Sequence, residues 1–167
     1  MPLILESLRG ACAPSTWSIG PEETKELLLR CRSALRPCVV ILPTRRDDLV
    51  AMRDLSHGLT VGPAELAQLL ATAQQASAGL FSLRLQAEGV RAVSLSGSQT
   101  GLVLEGDPLA ATFVCFESER VRPYLERNEV LVLAGLQGTG EDLAPRHLAL
   151  PHLPLWRAAW EEFLTRT

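Results

Sequence analysis

The 167-residue sequence predicts an α/β fold in which a mainly parallel sheet lies between helical layers, a three-layer α/β/α sandwich. Three observations predict it. Two segments, Cys38 to Leu42 and Val130 to Ala134, are unbroken apolar runs rich in β-branched residues, the pattern of strands buried on both faces. Apolar runs of this kind alternate with segments of helical character along the chain. No internal repeat, low-complexity tract or linker divides the sequence, so one domain over residues 1–167 is expected.

In order, Leu3 to Leu5 is a short apolar strand, closed by Arg9, Gly10 and Pro14. Pro21-Glu22-Glu23 starts a helix, since proline fits the first turn and acids suit its positive end. Leu27, Leu28, Cys31 and Leu35 give that helix one apolar face, and Pro37 ends it. After the strand at Cys38 to Leu42 come a charged stretch, Arg45 to Asp48, and a loop around His57-Gly58. A long helix rich in Ala, Leu and Gln runs from Pro63 to Glu88, with Gly89 as its stop. Val90 to Leu95, Leu102 to Leu104, Ala111 to Phe116 and Val130 to Ala134 read as strands, and Glu117 to Arg127 as an amphipathic helix. Pro151 and Pro154 precede a last helix, from about Leu155 to Leu164.

Composition excludes several classes. A net charge of −3 gives no surface for nucleic acid or anionic membrane. No apolar run reaches the roughly 18 residues that span a bilayer, and MPLILESLRG lacks the basic start of a secretory signal, so a cytoplasmic protein is expected. Cys12, Cys31, Cys38 and Cys115 have no metal-binding spacing, and no metal or cofactor is expected. Cys38 and Cys115 lie in apolar runs and read as core thiols. Lys25 is the only lysine, so chemistry that needs a particular lysine has one candidate.

Four features invite a functional reading. Gly135-Leu136-Gln137-Gly138-Thr139-Gly140 follows a strand, as phosphate loops do, but Asp142, Pro145 and Pro151 leave no helix directly after it, so a structural turn is expected. Ser94 to Gly101 is a strand end entering a polar glycine turn. It can hold a small polar ligand or close a tight turn, and the residues support both. Arg45-Arg46-Asp47-Asp48 reads as a solvated loop with Asp48 as a helix cap rather than a cation site. His57, His147 and His152 stand in no activated-nucleophile context. The helix over 63–88 carries apolar residues on more than one side, which makes it either a central buried helix or half of a homodimer interface.

The order of Val39-Val40-Ile41, Pro63-Ala64-Glu65-Leu66, Leu70 to Gln75, Ser94 to Gly101 and Val130 to Gly138 resembles the first part of an aspartokinase catalytic domain, within the amino-acid kinase family with its carbamate kinase-like fold. Ser96-Gly97-Ser98-Gln99-Thr100-Gly101 is similar to the family's Thr-Gly-Ser-Gln-Ala-Gly, and Ala134-Gly135-Leu136-Gln137-Gly138 to its Ala-Gly-Phe-Gln-Gly. The resemblance implies the N-terminal lobe of that fold, without the nucleotide-binding lobe and ACT domains. It maps an amino-acid site to Gly10, Gln74, Ser96, Gly97 and Gln99. The family's catalytic groups do not carry over. Its Lys-x-Gly-Gly-Thr-Ser corresponds to Ser7 to Cys12, with Ser7 at the lysine and Arg9 at a glycine. Its Ser-Ala-Met-Gly-x-Thr-Thr-Asp falls on Leu42 to Asp48, its Gly-Glu on Ala73-Gln74, and its Thr-Leu-Gly-Arg-Gly-Gly-Ser-Asp on His147 to Pro154. The resemblance therefore implies no catalytic residue and an inactive relative that binds a protein partner or a small ligand. The other reading it leaves is an ATP-dependent amino-acid phosphotransferase that needs a second chain to bind ATP.

Overall fold

The computed structural model describes residues 3–5, 29, 38–42, 54, 58–59, 62–127 and 130–166. Outside them lie most of the helix expected between Pro21 and Leu35, the stretches Ser7 to Cys12 and Pro43 to Asp48, Gly10, Cys12, Lys25, Cys31 and His57. Leu29 is described: it is helical and 59% exposed.

Strands β1 (Leu3–Leu5), β2 (Cys38–Leu42), β3 (Ala92–Leu95) and β6 (Val130–Ala134) form one sheet in the order β1-β2-β6-β3, and every pair is parallel. The apolar runs settle this arrangement. All five residues of β6 are buried, and β6 is flanked by β2, with Val39 opposite Leu131, and by β3, with Val93 opposite Leu131. Alternate residues of these strands enter two separate cores. Val40, Leu42, Ala92, Val130, Val132 and Ala134 meet Ala78, Phe81 and Leu85 of helix α1 (Pro63–Ala87). Val39, Ile41, Leu95, Leu131 and Leu133 face the opposite way.

Helix α1 begins with proline in its first turn and ends at Glu88 and Gly89, whose φ of +78° suits glycine. It is the longest described element, and among the described residues no helix is long and apolar enough to cross a membrane.

The layer on the other face differs from the expectation of helices alone. Strands β4 (Leu102–Glu105), β5 (Thr112–Phe116), β7 (Gln137–Thr139) and β8 (Pro145–His147) make a second, mixed sheet in the order β5-β4-β7-β8. Together with helices α2 (Arg122–Arg127) and α3 (Leu153–Arg166) it closes the second core. Trp156, Trp160, Phe163 and Leu164 of α3 pack there with Leu102, Leu104, Ala111 and Leu148. Phe116 reaches the Trp160 ring at 4.6 Å between centroids.

Three sequence expectations are corrected here. Cys115 is exposed, because β5 is an edge strand with a register shift opposite Val103 and Leu104, and its neighbour Phe116 takes the inward position. The helix from Glu117 to Arg127 is split into a 3-10 turn, Ser118–Arg120, and α2; Pro123 has no N–H, so it is accommodated only in the first turn of α2. The turn after β6 is confined to Gly135 and Leu136, and Gln137 to Thr139 continue as a buried strand.

Phe81 is 1% exposed between α1 and the parallel sheet. Replacing it with alanine is expected to cost about 3–5 kcal/mol, through lost burial and the cavity left behind. The check is urea unfolding, in which the midpoint falls while the slope stays unchanged.

Candidate functional site

In a parallel sheet, side chains and turns that can meet a ligand collect beyond the carboxyl ends of the strands. Of the four such ends, two lead into described residues: Leu95, followed by Ser96 to Gly101, and Ala134, followed by Gly135. The two turns pack directly against each other. A Cβ at Gly97 would lie 2.9 Å from Cβ of Gln137 and 3.3 Å from the Gly138 carbonyl oxygen, so glycine permits the close approach. Thr100, fully buried, donates its hydroxyl to the Gly97 carbonyl at 2.7 Å and lies 3.2 Å from the Gln137 carbonyl.

The helix joins the same junction. Gln137 is fully buried, and its amide nitrogen donates to Ala71 O at 3.0 Å and to Gln74 Oε1 at 2.5 Å. Gln74 is itself 6% exposed and lies over Gly135, where an added Cβ would be 2.6 Å from its amide. Gly135 has φ +65°, the left-handed conformation that lets the chain turn under that amide. Three segments far apart in sequence therefore converge: Gln74 on α1, the Ser96–Gly101 turn and Gly135–Gly138. The Oε1 atom of Gln137 is buried with no hydrogen-bond partner.

The remaining polar groups of the first turn are held within it. The Ser96 N–H and hydroxyl both donate to Gln99 Oε1 at 2.9 Å, as in a capping box. Gln99 Nε2 donates to the Tyr124 hydroxyl at 3.0 Å, and Arg120 donates to the Ser98 carbonyl at 3.2 Å, tying the turn to α2 and the 3-10 turn before it. A cleft of about 180 Å³ opens beside this turn, lined by Gln75, Ala78, Ser94, Leu95, Ser96 and Gln99. Among the described residues no side chain that lines it is charged.

Of the five positions singled out in the sequence, Gly10 lies outside the described residues. Ser96 and Gln99 border the cleft; Gly97 and Gln74 lie behind it, buried in the junction. Ser94 belongs to the strand-end turn that the sequence offers as a ligand site, and Gln137 to the glycine turn read as structural, whereas neither Gln75 nor Tyr124 is marked by the sequence as a site residue. The spacing of Gln74 and Gln75 held a signal for one of them: adjacent residues on a helix point about 100° apart, so when one faces the sheet its neighbour turns away.

His147 extends the junction along β8. It stands opposite Gln137 in register, is 9% exposed, and its Nε2 is 3.0 Å from the Ala67 carbonyl. That carbonyl can only accept, so Nε2 carries the proton. Burial holds the ring's pKa below its ordinary value, and the bond to Ala67 opposes this only in part. Elsewhere, a second cleft of about 390 Å³ lies between Val103 to Gly106 and Gly140 to Arg146. There Arg146 pairs with Asp142 at 2.6 Å and, with the Ala144 N–H, holds its carboxyl below the usual range. Among the described residues no group of histidine, cysteine or acidic side chains is placed to hold a metal ion.

No protein-family model matches the chain. It is similar to the aspartate kinase of Pseudomonas putida, at 28% identity over 143 residues, 84% of this chain and 34% of that protein. It is similar to the aspartate kinase of Pseudomonas fluorescens at 27% identity over 145 residues, 84% of this chain and 35% of that protein. Over a shorter stretch of 98 residues, 58% of this chain and 23% of the relative, it is 35% identical to aspartokinase 2 of Bacillus subtilis. The chain is thus a distant relative of the aspartokinases, and it spans about a third of the length of the relatives that it matches over most of its own length.

Two measurements check the junction. Gly97→Ala is expected to destabilise the fold by about 1–3 kcal/mol, because Gln137 cannot withdraw from β7. Stability is expected to fall as pH drops below about 6.5, where the unfolded chain binds a proton that folded His147 resists, and to level off below the folded value. Denaturation midpoints followed across this range should lose that component in His147→Gln.

Proposed function

We propose that this chain is a catalytically inactive relative of the aspartokinases, acting in the cytoplasm as a protein-association or small-ligand-binding module. The observation that carries the reading is the use made of the side chains at the strand ends. Gln74, at the position of the family's acidic residue, is bonded to Gln137 rather than open to a substrate. Ser96 and Gln99 satisfy each other. The segment matched to the family's Thr-Leu-Gly-Arg-Gly-Gly-Ser-Asp is here the end of β8, a 3-10 turn at Leu150–His152 and the start of α3. It contains neither glycine nor arginine.

Phosphoryl transfer depends on positive charge aimed at the oxygens of the moving phosphoryl group. Ser7 stands where the resemblance expects the lysine that supplies it, and the chain's single lysine, Lys25, lies well past that motif. What remains is a cleft whose described lining, Gln75, Ser94, Ser96 and Gln99 among it, is uncharged and able to exchange hydrogen bonds with a small polar ligand.

The test pairs two measurements on the purified chain. Incubation with aspartate, ATP and magnesium is expected to form no aspartyl phosphate above a protein-free control. Its formation would instead support a phosphotransferase, completed in the cell by a second chain that binds ATP. Thermal-shift titration with aspartate, lysine, threonine, ATP–magnesium and uridine nucleotides then separates the two binding roles. A ligand specific for the native state adds about 2.7 kcal/mol at a hundred times its dissociation constant. A shift with an amino acid that is lost in Ser96→Ala/Gln99→Ala supports the cleft as its site, and silence across the panel supports association with another protein.

A further inference from the structure

The mixed sheet carries the chain's surplus charge. β4, β5 and the turn between them hold Glu105 and Asp107, and β7, β8 and their turn hold Glu141 and Asp142, against a single arginine, Arg146. These two strand pairs thus account for the whole net charge of −3, and acids and bases balance over the rest of the chain. β4 and β7 run parallel as neighbours, so both turns lie at the same end of the sheet.

Between those turns lies the cleft of about 390 Å³, and its lining is of two kinds. Val103 and Val114 are apolar. Val114 is the extra residue where the register of β4 and β5 shifts, and a bulge of this kind re-aims a side chain; it is half exposed. Glu105, Glu141 and Asp142 are acidic and exposed. Arg146 does not neutralise the group. Its guanidinium lies over Gly140, where a Cβ would have no room, and it is bonded to Asp142 and to the Ala144 carbonyl. Among the described residues neither Glu105 nor Glu141 has an ion-pair or hydrogen-bond partner.

The turns also carry apolar side chains outward. Leu143 is 68% exposed, and its φ of +61° is a left-handed conformation that strains a leucine and suits glycine or asparagine. In the chain alone it bears backbone strain and buries little. Leu109, on the other turn, is exposed as well. Leucines beside unpaired carboxylates make a surface for a polypeptide rather than for a metal ion or a free amine. A small cation would meet the carboxylates and leave both leucines uncovered.

We propose that this cleft docks an extended segment of a partner protein through a lysine or arginine flanked by apolar residues. The aliphatic stem lies on Val103 and Val114, the cationic head meets Glu105 and Glu141, and the flanking residues cover Leu143 and Leu109. Opposite charge steers the encounter and turns acidic segments away, so the affinity falls as salt rises. This docking gives chemical content to the protein-association role proposed above, on which it rests. Its readout needs neither ATP nor aspartate, so it succeeds or fails separately from the phosphotransfer assay.

The test selects peptides from a displayed library of random sequences on the immobilised full chain. The selected peptides should share a lysine or arginine beside valine, leucine or isoleucine. They should bind Glu105→Gln/Glu141→Gln about tenfold or more weakly, with unchanged circular dichroism of the variant. Leu143→Gly supplies a second readout. A leucine that serves only the turn would leave binding unchanged, whereas docking predicts a chain at least as stable that binds more weakly. A library that yields no binder, selected peptides that are acidic or uncharged, or unchanged binding in either variant would each overturn the proposal. So would displacement of the peptides by free lysine amide at the concentrations at which the peptides displace one another, which would mark a site for a small cation.

Discussion

The side chain of Gln137 is held where the parallel sheet, the mixed sheet and helix α1 come together. Its backbone belongs to β7, its amide reaches the Ala71 carbonyl and Gln74 on α1, and its carbonyl and Cβ lie against the Ser96–Gly101 turn. A buried amide that lost these partners would cost on the order of 1–3 kcal/mol. The residues around it are correspondingly restricted. Gly97 and Gly135 leave no room for a side chain, Gly138 meets the Leu102 carbonyl in the same way, and His147 repeats the contact one helical turn away at Ala67. These positions depend on one another because each fills the space that the others leave.

That dependence bears on function. Glycine turns and hydroxyls at strand ends are the usual raw material of a ligand site, and the same groups can equally hold a fold together. In this chain most of them do the latter. The hydroxyl of Thr100, the amides of Gln74 and Gln99 and the hydroxyl of Ser96 all have partners inside the protein. An aspartokinase-like framework is retained, with its strand-end turns serving as internal contacts. The cleft beside Gln75 and Ser94 is left as the part of this region that is open to solvent.

The two cores show how the layers divide the work of burial. Above the sheet, α1 supplies small residues and Phe81, which lets the helix lie close to β2, β3 and β6. Below it, Trp156, Trp160 and Phe163 fill a wider gap between α3 and the mixed sheet. The indole N–H groups of both tryptophans are buried without partners. The apolar area removed from water outweighs that loss, since each ring buries about 150–250 Å².

The sequence by itself determined the elements that its local pattern encodes. Five consecutive apolar residues in β2 and in β6 cannot find water-facing positions, so both had to become interior strands, and parallel pairing with helical cover followed. Pro63 and Gly89 bounded α1 for equally local reasons of backbone geometry. The turns at Ser96 and Gly135 and their likeness to aspartokinase turns were legible too, because they depend on residue identity at fixed spacing. Tertiary structure alone decided which sheet a short strand joins. Leu102 to Glu105 and Gln137 to Thr139 pair by hydrogen bonds between backbones distant in sequence, and three or four residues carry no periodicity that names the partner. It also decided that Cys115 faces outward, since the bulge and edge position of β5 are properties of the pair and not of the strand. The same holds for Gln74 and Gln75, adjacent and alike in composition. One is buried in the junction and the other lines the cleft, because the direction in which α1 lies across the sheet is set by packing against β3 and β6.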